Sequence, residues 1–217
     1  MSADISKLFS VSIKGILHYN GKYLLRKNER NEFELLGGRL EKNDRSPEER
    51  VITEFIEESG VKVEVVESRE PWLYEIGYGN ILIIPYMCKA LSIPDELYDE
   101  DGGKVLWVDE SDIDKVFMPQ GYKDSIWGNV PHKSYSIPAK KYFKIMPNFV
   151  DRSYSIKVVV EGNKNILAEG ELSHHDAPRD FAFKILGESY QNNELVYKKV
   201  LADPVNSSIT LIYEVKR

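Results

Sequence analysis

The residues best suited to chemistry in this chain are three glutamates, Glu54, Glu57 and Glu58, within a predicted helix. At about 100° per residue all three carboxylates fall within an arc of about 100° on the helix surface. Acids at this spacing repel one another by a few tenths of a kcal/mol per pair (roughly 0.2–0.5) unless a cation lies among them. A hard divalent cation would neutralise them, bridge them to phosphate oxygens and activate a water. The alternative is a solvated acidic face, because Glu-rich surface helices are common.

The helix that carries these glutamates is well delimited in the sequence. Ser46 is a predicted N-cap, Pro47 suits the first helical position, and Glu48 and Glu49 complement the helix dipole, while Gly60 ends the helix. An apolar stripe beside the acidic face is predicted to dock the helix on a sheet; its members are Val51, Ile52, Phe55 and Ile56.

Strands are predicted on both sides of this helix. Asn20-Gly21 is a strong hairpin turn between the first two strands, and Gly37-Gly38 permits a sharp corner before the helix. Pro85 lies inside a later strand and suggests an edge or a bulge. The predicted strands are 9–17, 22–26, 33–36, 61–66, 80–90 and 105–108, and a helix start is predicted at 109–114.

The order of glycine pair, acidic loop, capped helix and terminal glycine resembles the Nudix hydrolase family. The family motif reads Gly, five residues, Glu, seven residues, Arg-Glu, an aliphatic residue, any residue, Glu-Glu, any residue, Gly and an aliphatic residue. The matching positions are Gly38, Glu54, Phe55, Glu57, Glu58, Gly60 and Val61. The resemblance covers residues 8 to 127 and implies an α+β fold, a Nudix-type α/β/α sandwich with a mixed β-sheet.

The resemblance also implies an activity, hydrolysis of a pyrophosphate bond in a nucleoside diphosphate derivative. Glu54, Glu57 and Glu58 would ligate Mg²⁺, with Mn²⁺ as a substitute, and the Gly38 carbonyl would add a ligand. Glu57 or Glu54 would activate the attacking water. The chemistry of the residues agrees, since cleaving such a bond needs neutralised phosphate oxygens and a positioned water.

The chain departs from the family pattern at two places. Asp44 stands where the family has its first Glu, with one extra residue before Thr53, so Arg45 is the alternative occupant of that position. Thr53 replaces the arginine that, in the family, orients the catalytic acids by ion pairing. Arg50, four residues before Glu54, is predicted to substitute for it in part.

Two further positions are candidates for the site. Arg39 follows the glycine pair and is placed to reach a substrate phosphate, although it also suits a surface ion pair with Glu41. Glu100 lies in an acidic loop that, in several family members, supplies an additional acid for metal binding or general-base catalysis. The alternative for Glu100 is a solvated loop.

Other noticeable residues have plainer interpretations. Trp72, Tyr74 and Tyr78 present aromatic faces on which a base can stack, but core packing or a dimer contact is the preferred interpretation. Adjacent histidines in a strand point to opposite faces, so His174 and its neighbour are interpreted as loop residues. Cys88 is interpreted as a small buried hydrophobic residue.

Composition and charge divide the chain of 217 residues into two parts, whose net charge together is -6. Residues 129–217 hold 13 basic and 10 acidic side chains, against 16 and 25 in residues 1–128. We therefore predict a Nudix hydrolase-like domain over 1–128 and a small accessory α+β domain of ββαββ type over 129–217, whose role the sequence leaves open.

Charge and the predicted segments leave few classes of function. An acidic amino-terminal part argues against nucleic-acid binding, and no stretch predicts membrane anchoring or export, so a cytoplasmic protein with a nucleotide-type substrate is expected. The alternatives are a non-catalytic nucleotide-sensing module that acts through its carboxy-terminal domain, and a structural dimer. Because the carboxy-terminal part is rich in strands, we expect a homodimer that pairs through sheet edges, whichever of these functions applies.

Overall fold

The computed structural model of the chain describes residues 5–28, 31–75, 80–100, 102–131, 135–136, 153–163, 165–190 and 194–216. The helices are α1 Pro47–Ser59, α2 Gln120–Trp127 and α3 Pro178–Leu186. The strands are β1 Leu8–Tyr19, β2 Lys22–Lys27, β3 Phe33–Glu34, β4 Lys62–Ser68, β5 Trp72–Glu75, β6 Asn80–Ser92, β7 Lys104–Asp109, β8 Tyr135–Ser136, β9 Tyr154–Glu161, β10 Ile166–Glu171, β11 Glu194–Asp203 and β12 Ser208–Lys216. Within these residues, no helix has the length and apolar character that a bilayer crossing demands.

Strand β1 is the centre of a mixed, branched sheet. The order along its main path is β11-β12-β9-β1-β6-β5-β8, and β4 pairs with β6 beside β5. β1 runs parallel to β6 over Ser10–Leu17 and antiparallel to β9 at Leu8 and Phe9. One long strand therefore connects the amino-terminal and carboxy-terminal parts of the chain, and the predicted α+β class is confirmed.

The β1–β2 hairpin turns at the predicted dipeptide. Asn20 and Gly21 have φ angles of 49° and 75°, the left-handed geometry that a tight two-residue hairpin turn requires. The turn pairs His18 with Tyr23 and Tyr19 with Lys22. β2 then continues to pair with β7 across the sheet.

Helix α1 docks directly on β1. The Ser46 hydroxyl accepts the Glu49 amide at 3.2 Å, as expected of an N-cap. Phe55 is fully buried, and a Cβ at Gly15 would lie 2.1 Å from its ring, so the ring rests on the strand backbone. Ile56, predicted within the docking stripe, is instead 39% exposed, because it lies at the far edge of the stripe.

One prediction about β6 needs correction, and one of its neighbouring strands was not predicted. The sequence did not indicate β5, which pairs with the first half of β6. Pro85 lies in the middle of a central strand and not at an edge. It is tolerated there because β6 changes partner at this point, from Tyr86, paired with β4, to Ile83, paired with β5.

The other noticeable residues take the plainer of their predicted roles. Trp72 and Tyr74 are buried in a second core that α2 covers, whereas Tyr78 lies outside the described residues. Burial raises the pKa of the Cys88 thiol to about 12, as for an inert packed side chain. His174 lies in a loop, where its ring packs against Phe9 with 4.5 Å between the ring centroids.

The carboxy-terminal strands and helix follow the predicted ββαββ order, from β9 to β12 with α3 after β10. This unit contacts the loop between β4 and β5. Arg179 donates two hydrogen bonds to the Glu70 carboxylate, at 2.7 and 2.6 Å, and both side chains are about nine-tenths buried. The Ser68 and Tyr197 hydroxyls lie 2.9 Å apart.

Candidate active site

The three glutamates of α1 lie on one side of the helix but differ in exposure. Glu54 and Glu58 are only 6% and 7% exposed, while the side chain of Glu57 is 43% exposed. The acids therefore lie at the boundary of core and solvent, as follows from an acidic face beside a docked apolar stripe. This placement results from the apolar residues Val51 and Phe55, whose burial draws the adjacent acids towards the sheet.

The Gly37-Gly38 corner passes directly beneath the Glu54 carboxylate. Gly37 has a φ of 131°, and a Cβ there would lie 2.2 Å from the Ile13 carbonyl oxygen. A Cβ at Gly38 would lie 1.9 Å from Oε1 of Glu54. Both glycines are therefore required, because the backbone lies between β1 on one side and an acidic side chain on the other.

The Gly38 carbonyl is engaged with β1. It accepts the Ile13 amide at 2.9 Å and the Ser12 hydroxyl at 3.2 Å. A carbonyl oxygen has two lone pairs, so both are used by these contacts. The predicted role of this carbonyl as a metal ligand would require the Ser12 hydroxyl to turn away.

Glu58 closes the corner from the helix side. Its Oε2 accepts the Gly37 amide at 2.8 Å, and its Oε1 lies 3.3 Å from Nε of Arg26. Burial raises the pKa of the Glu58 carboxyl to about 7, although Lys14, the Gly37 amide and Arg26 favour the ionised form.

Two cations, the buried Lys14 and the partly buried Arg26, complete this half of the site, and neither was predicted from the sequence. Lys14 is 6% exposed, and its ammonium donates to the Gly37 carbonyl at 2.5 Å and lies 3.7 Å from Glu34. Arg26 donates through Nε to Asp99 at 2.7 Å. The sequence shows Lys14 among apolar residues of the predicted strand 9–17, which indicates a buried cation in need of a partner but does not identify that partner.

Arg50 holds the other half of the acidic face. A single nitrogen, Nη2, contacts Oε1 of Glu54 and lies 4.0 Å from Oε2 of Glu57. Burial raises the pKa of Glu54, and the positive charges of Arg50 and Lys14 oppose that rise. The position of Arg50 agrees with the predicted substitution for the missing family arginine.

The departures from the family motif have simple structural explanations. The Thr53 hydroxyl donates to the Glu49 carbonyl at 3.0 Å, within its own helix. The extra residue is accommodated in a turn, in which the Asp44 carboxylate accepts the Glu41 amide at 2.7 Å. Arg45 is 86% exposed and pairs with Glu49, so it lies outside the site.

The loop before β7 comes back to α1. The Glu100 amide donates to the Glu57 carbonyl at 3.0 Å, which places this residue beside the acidic face with an exposed side chain. Asp99, not chosen from the sequence, has the buried carboxylate of this loop and joins the site through Arg26. Arg39 is half-buried, and its backbone forms an isolated antiparallel β-bridge with Ser12 on β1.

The donor set suits a hard cation, but the acids do not form one cluster. Among the described residues, no three His, Cys, Asp or Glu side chains converge closely enough to hold a metal ion. The reason is that Glu58 is held by the Gly37 amide and Arg26, whereas Glu54 and Glu57 share Arg50. Glu54 and Glu57 already share one cationic nitrogen, so the same two carboxylates fit a metal cation that prefers oxygen ligands. Water would fill the remaining coordination positions of that metal.

Comparison with known proteins identifies the fold of this arrangement. No family model and no curated protein matches the sequence. Among solved structures, a NUDIX hydrolase from Nitrosomonas europaea is 15% identical, with 62% of this chain and 97% of that chain covered and a TM-score of 0.50. A NUDIX-family hydrolase from Clostridium perfringens is 16% identical, with 54% and 94% covered and a TM-score of 0.47. An ADP-ribose pyrophosphatase from Streptococcus suis is 17% identical, with 55% and 87% covered and a TM-score of 0.45. The likeness to the Nitrosomonas protein confirms the resemblance predicted from the glycine and glutamate spacing: about three fifths of this chain, 62%, has the Nudix hydrolase fold.

Proposed function

We propose that this chain is a divalent-metal-dependent hydrolase that cleaves the phosphoanhydride bond of a nucleoside diphosphate derivative. The observation that carries the proposal is the position of the Glu54 carboxylate. It is buried against the Gly38 backbone and shares the Arg50 guanidinium with Glu57. A buried acid is costly unless a partner compensates its charge. Retaining it where the Nudix fold places its acidic helix favours a catalytic role.

The exposure of each acid determines the role that we propose for it. Mg²⁺ or Mn²⁺, held by Glu54 and Glu57, would neutralise phosphate oxygens and acidify a water. Glu57 has the most exposed carboxylate of the three, so it is the proposed acceptor of the water's proton, at an Oε atom. Direct metal binding by Glu58 and by the Gly38 carbonyl stays a prediction.

Two neighbouring residues would act on the substrate side. Arg39 follows directly on the Gly38 corner, where a guanidinium can pair with a phosphate. Glu100 is hydrogen-bonded through its amide to the carbonyl of Glu57, so its exposed carboxylate is the proposed second acid. Each of these roles rests on placement beside α1.

A second candidate is a nucleotide-binding module without turnover. It is favoured by the internal cations Lys14, Arg26 and Arg50, which already compensate part of the charge that a metal would neutralise. The carboxy-terminal unit would then pass the binding signal to a partner. The two candidates differ in whether the acids do chemistry or only form a pocket.

The test is a panel of nucleoside diphosphate derivatives incubated with and without Mg²⁺. The informative variant is Glu57→Gln, and the matched control is Glu49→Gln, which removes an exposed carboxylate from the same helix. Hydrolysis that needs the metal, is lost in the first variant and persists in the second supports the hydrolase. Tight nucleotide binding without hydrolysis supports the binding module. Absence of both, together with no heat of Mn²⁺ binding, would reject both candidates.

A further inference from the structure

The position of Arg50 between two acids suggests more than an orienting role. One nitrogen, Nη2, serves both Glu54 and Glu57, so the positive charge lies where their carboxylates approach each other. An arginine does not lose its proton in a protein. Its charge can leave this position only if the side chain moves.

A divalent cation held between these two carboxylates competes for the same oxygens. Mg²⁺ binds carboxylate oxygens at about 2.0–2.1 Å, a distance that leaves no room for a guanidinium nitrogen on the same side of the oxygen. Two cations placed between one pair of carboxylates would also repel each other at short range. Where a metal ion takes Oε1 of Glu54 and Oε2 of Glu57, the two oxygens that face Arg50, the arginine and the metal ion therefore exclude each other.

The other two cations of the site do not compete with a metal ion for Glu54 and Glu57. Lys14 is committed to the Gly37 carbonyl and Glu34, and Arg26 to Asp99 and Glu58. They hold the half of the site beside the glycine corner. Displacing Arg50 would leave that half intact.

The Arg50 side chain is also incompletely satisfied where it lies. Its Nε is buried and, within the described part of the chain, has no hydrogen-bond partner. A buried donor without a partner is unfavourable, and an outward movement would return it to water. The side chain is 26% exposed, so it has a path to solvent.

We propose that Arg50 is an internal competitor of the divalent cation, which must be displaced from Glu54 and Glu57 before the metal binds. The inference rests on the proposed function, since it assumes that these two acids are the metal ligands. It makes Arg50 a positioning residue that lowers metal affinity. A purely orienting arginine would raise it, so the two roles differ in the sign of one measurement.

The experiment is calorimetric titration of Mn²⁺ into the full-length protein and its variants. Arg50→Gln should bind Mn²⁺ about tenfold more tightly than wild type, the equivalent of losing one charge-assisted hydrogen bond that competes for the ligands. Arg45→Gln is the matched control, because it removes one positive charge from an exposed pair with Glu49 at the start of the same helix. Its Mn²⁺ affinity should equal that of wild type within about twofold.

A second variant guards against misfolding. Arg50→Lys keeps the charge on a side chain that is one atom shorter than the path to Nη2, so its ammonium competes less well and its Mn²⁺ affinity should lie between those of wild type and Arg50→Gln. Melting curves in a chelator report whether each variant is folded.

The outcomes separate this inference from the proposed function. Mn²⁺ affinity that rises in Arg50→Gln and stays constant in Arg45→Gln supports it. An affinity that falls or is unchanged in Arg50→Gln overturns it and leaves metal binding itself intact. An equal rise in both arginine variants overturns it too, because general electrostatics would then explain the change. If wild type and all variants fail to bind Mn²⁺, the proposed function and this inference are both rejected.

Discussion

The contact between Gly38 and Glu54 provides the most direct test of the site. In Gly38→Ala the new Cβ would lie 1.9 Å from Oε1 of Glu54 and 2.5 Å from its Cδ, whereas real Cβ contacts do not fall below 3.0 Å. The backbone cannot easily yield, because the Gly38 carbonyl is hydrogen-bonded to the Ile13 amide at 2.9 Å and Leu40 donates to Val11 at 3.0 Å. The Glu54 carboxylate must therefore move by about 1 Å, the difference between 1.9 and 3.0 Å.

A displacement of this size should lower turnover strongly and the free energy of unfolding only modestly. Misplacing a reacting group by about 1 Å can lower turnover about 100-fold. Overpacking by one methyl group lowers the free energy of unfolding by about 1–3 kcal/mol. We therefore expect a folded Gly38→Ala protein with kcat reduced about 100-fold and weakened Mn²⁺ binding.

The assay is hydrolysis of whichever panel substrate wild type cleaves, with urea unfolding and Mn²⁺ titration on the same preparations. Gly170→Ala is the control, since it adds a methyl group to β10 that would lie 3.0 Å from the ring of Phe181, far along the chain from α1. It should keep wild-type kcat. A folded Gly38→Ala protein with wild-type kcat and Mn²⁺ affinity would refute the claim that chemistry depends on the carboxylate held against this corner.

Two further substitutions test the contacts that support the site and the carboxy-terminal unit. Glu58→Ala should lower the free energy of unfolding by about 1–3 kcal/mol, because the buried Gly37 amide loses its acceptor, and urea denaturation measures this. Arg179→Ala should lower it by about 3–5 kcal/mol, because Glu70 is left buried without its bidentate partner, and the same unfolding curves measure it.

Matched variants provide the controls for these two predictions. Glu57→Ala removes a glutamate of the same helix whose side chain is 43% exposed, and should change the free energy of unfolding by less than about 1 kcal/mol. Lys184→Ala breaks a pair with Asp176 in which the lysine is 64% exposed, and should also cost less than about 1 kcal/mol. Equal losses in a test variant and its control would contradict the assigned contact.

The local elements of this fold could be predicted because their signals are local. Asn20-Gly21 specifies a tight hairpin, and Ser46, Pro47 and Gly60 delimit α1, since each acts on the backbone of its own neighbours. The strand β5 could not be predicted in this way. Its short segment around Trp72 is stabilised by pairing with β6 and by the core under α2.

The acids of the site and their partner within the helix, Arg50, were predictable, whereas the partners on the strands were not. The spacing of Glu54, Glu57 and Glu58 follows from helix geometry, so it can be read from the sequence. Lys14 and Arg26 lie on β1 and β2, and neither has a local pattern that relates it to α1. Their partnership with the acids arises only when the strands and the helix pack together.

The sequence by itself therefore determined the helix, its acidic face and the glycine corner, because these depend on residues within one or two turns of backbone. The pairing of Arg50 with Glu54 belongs with these, since the two residues are four apart on one helix. Only the tertiary structure decided the partners from outside the helix, where the Gly37 amide and Arg26 hold Glu58. The physical reason is that the partner of a buried charge is chosen by distance in the folded chain, where low polarity makes every unpaired charge costly.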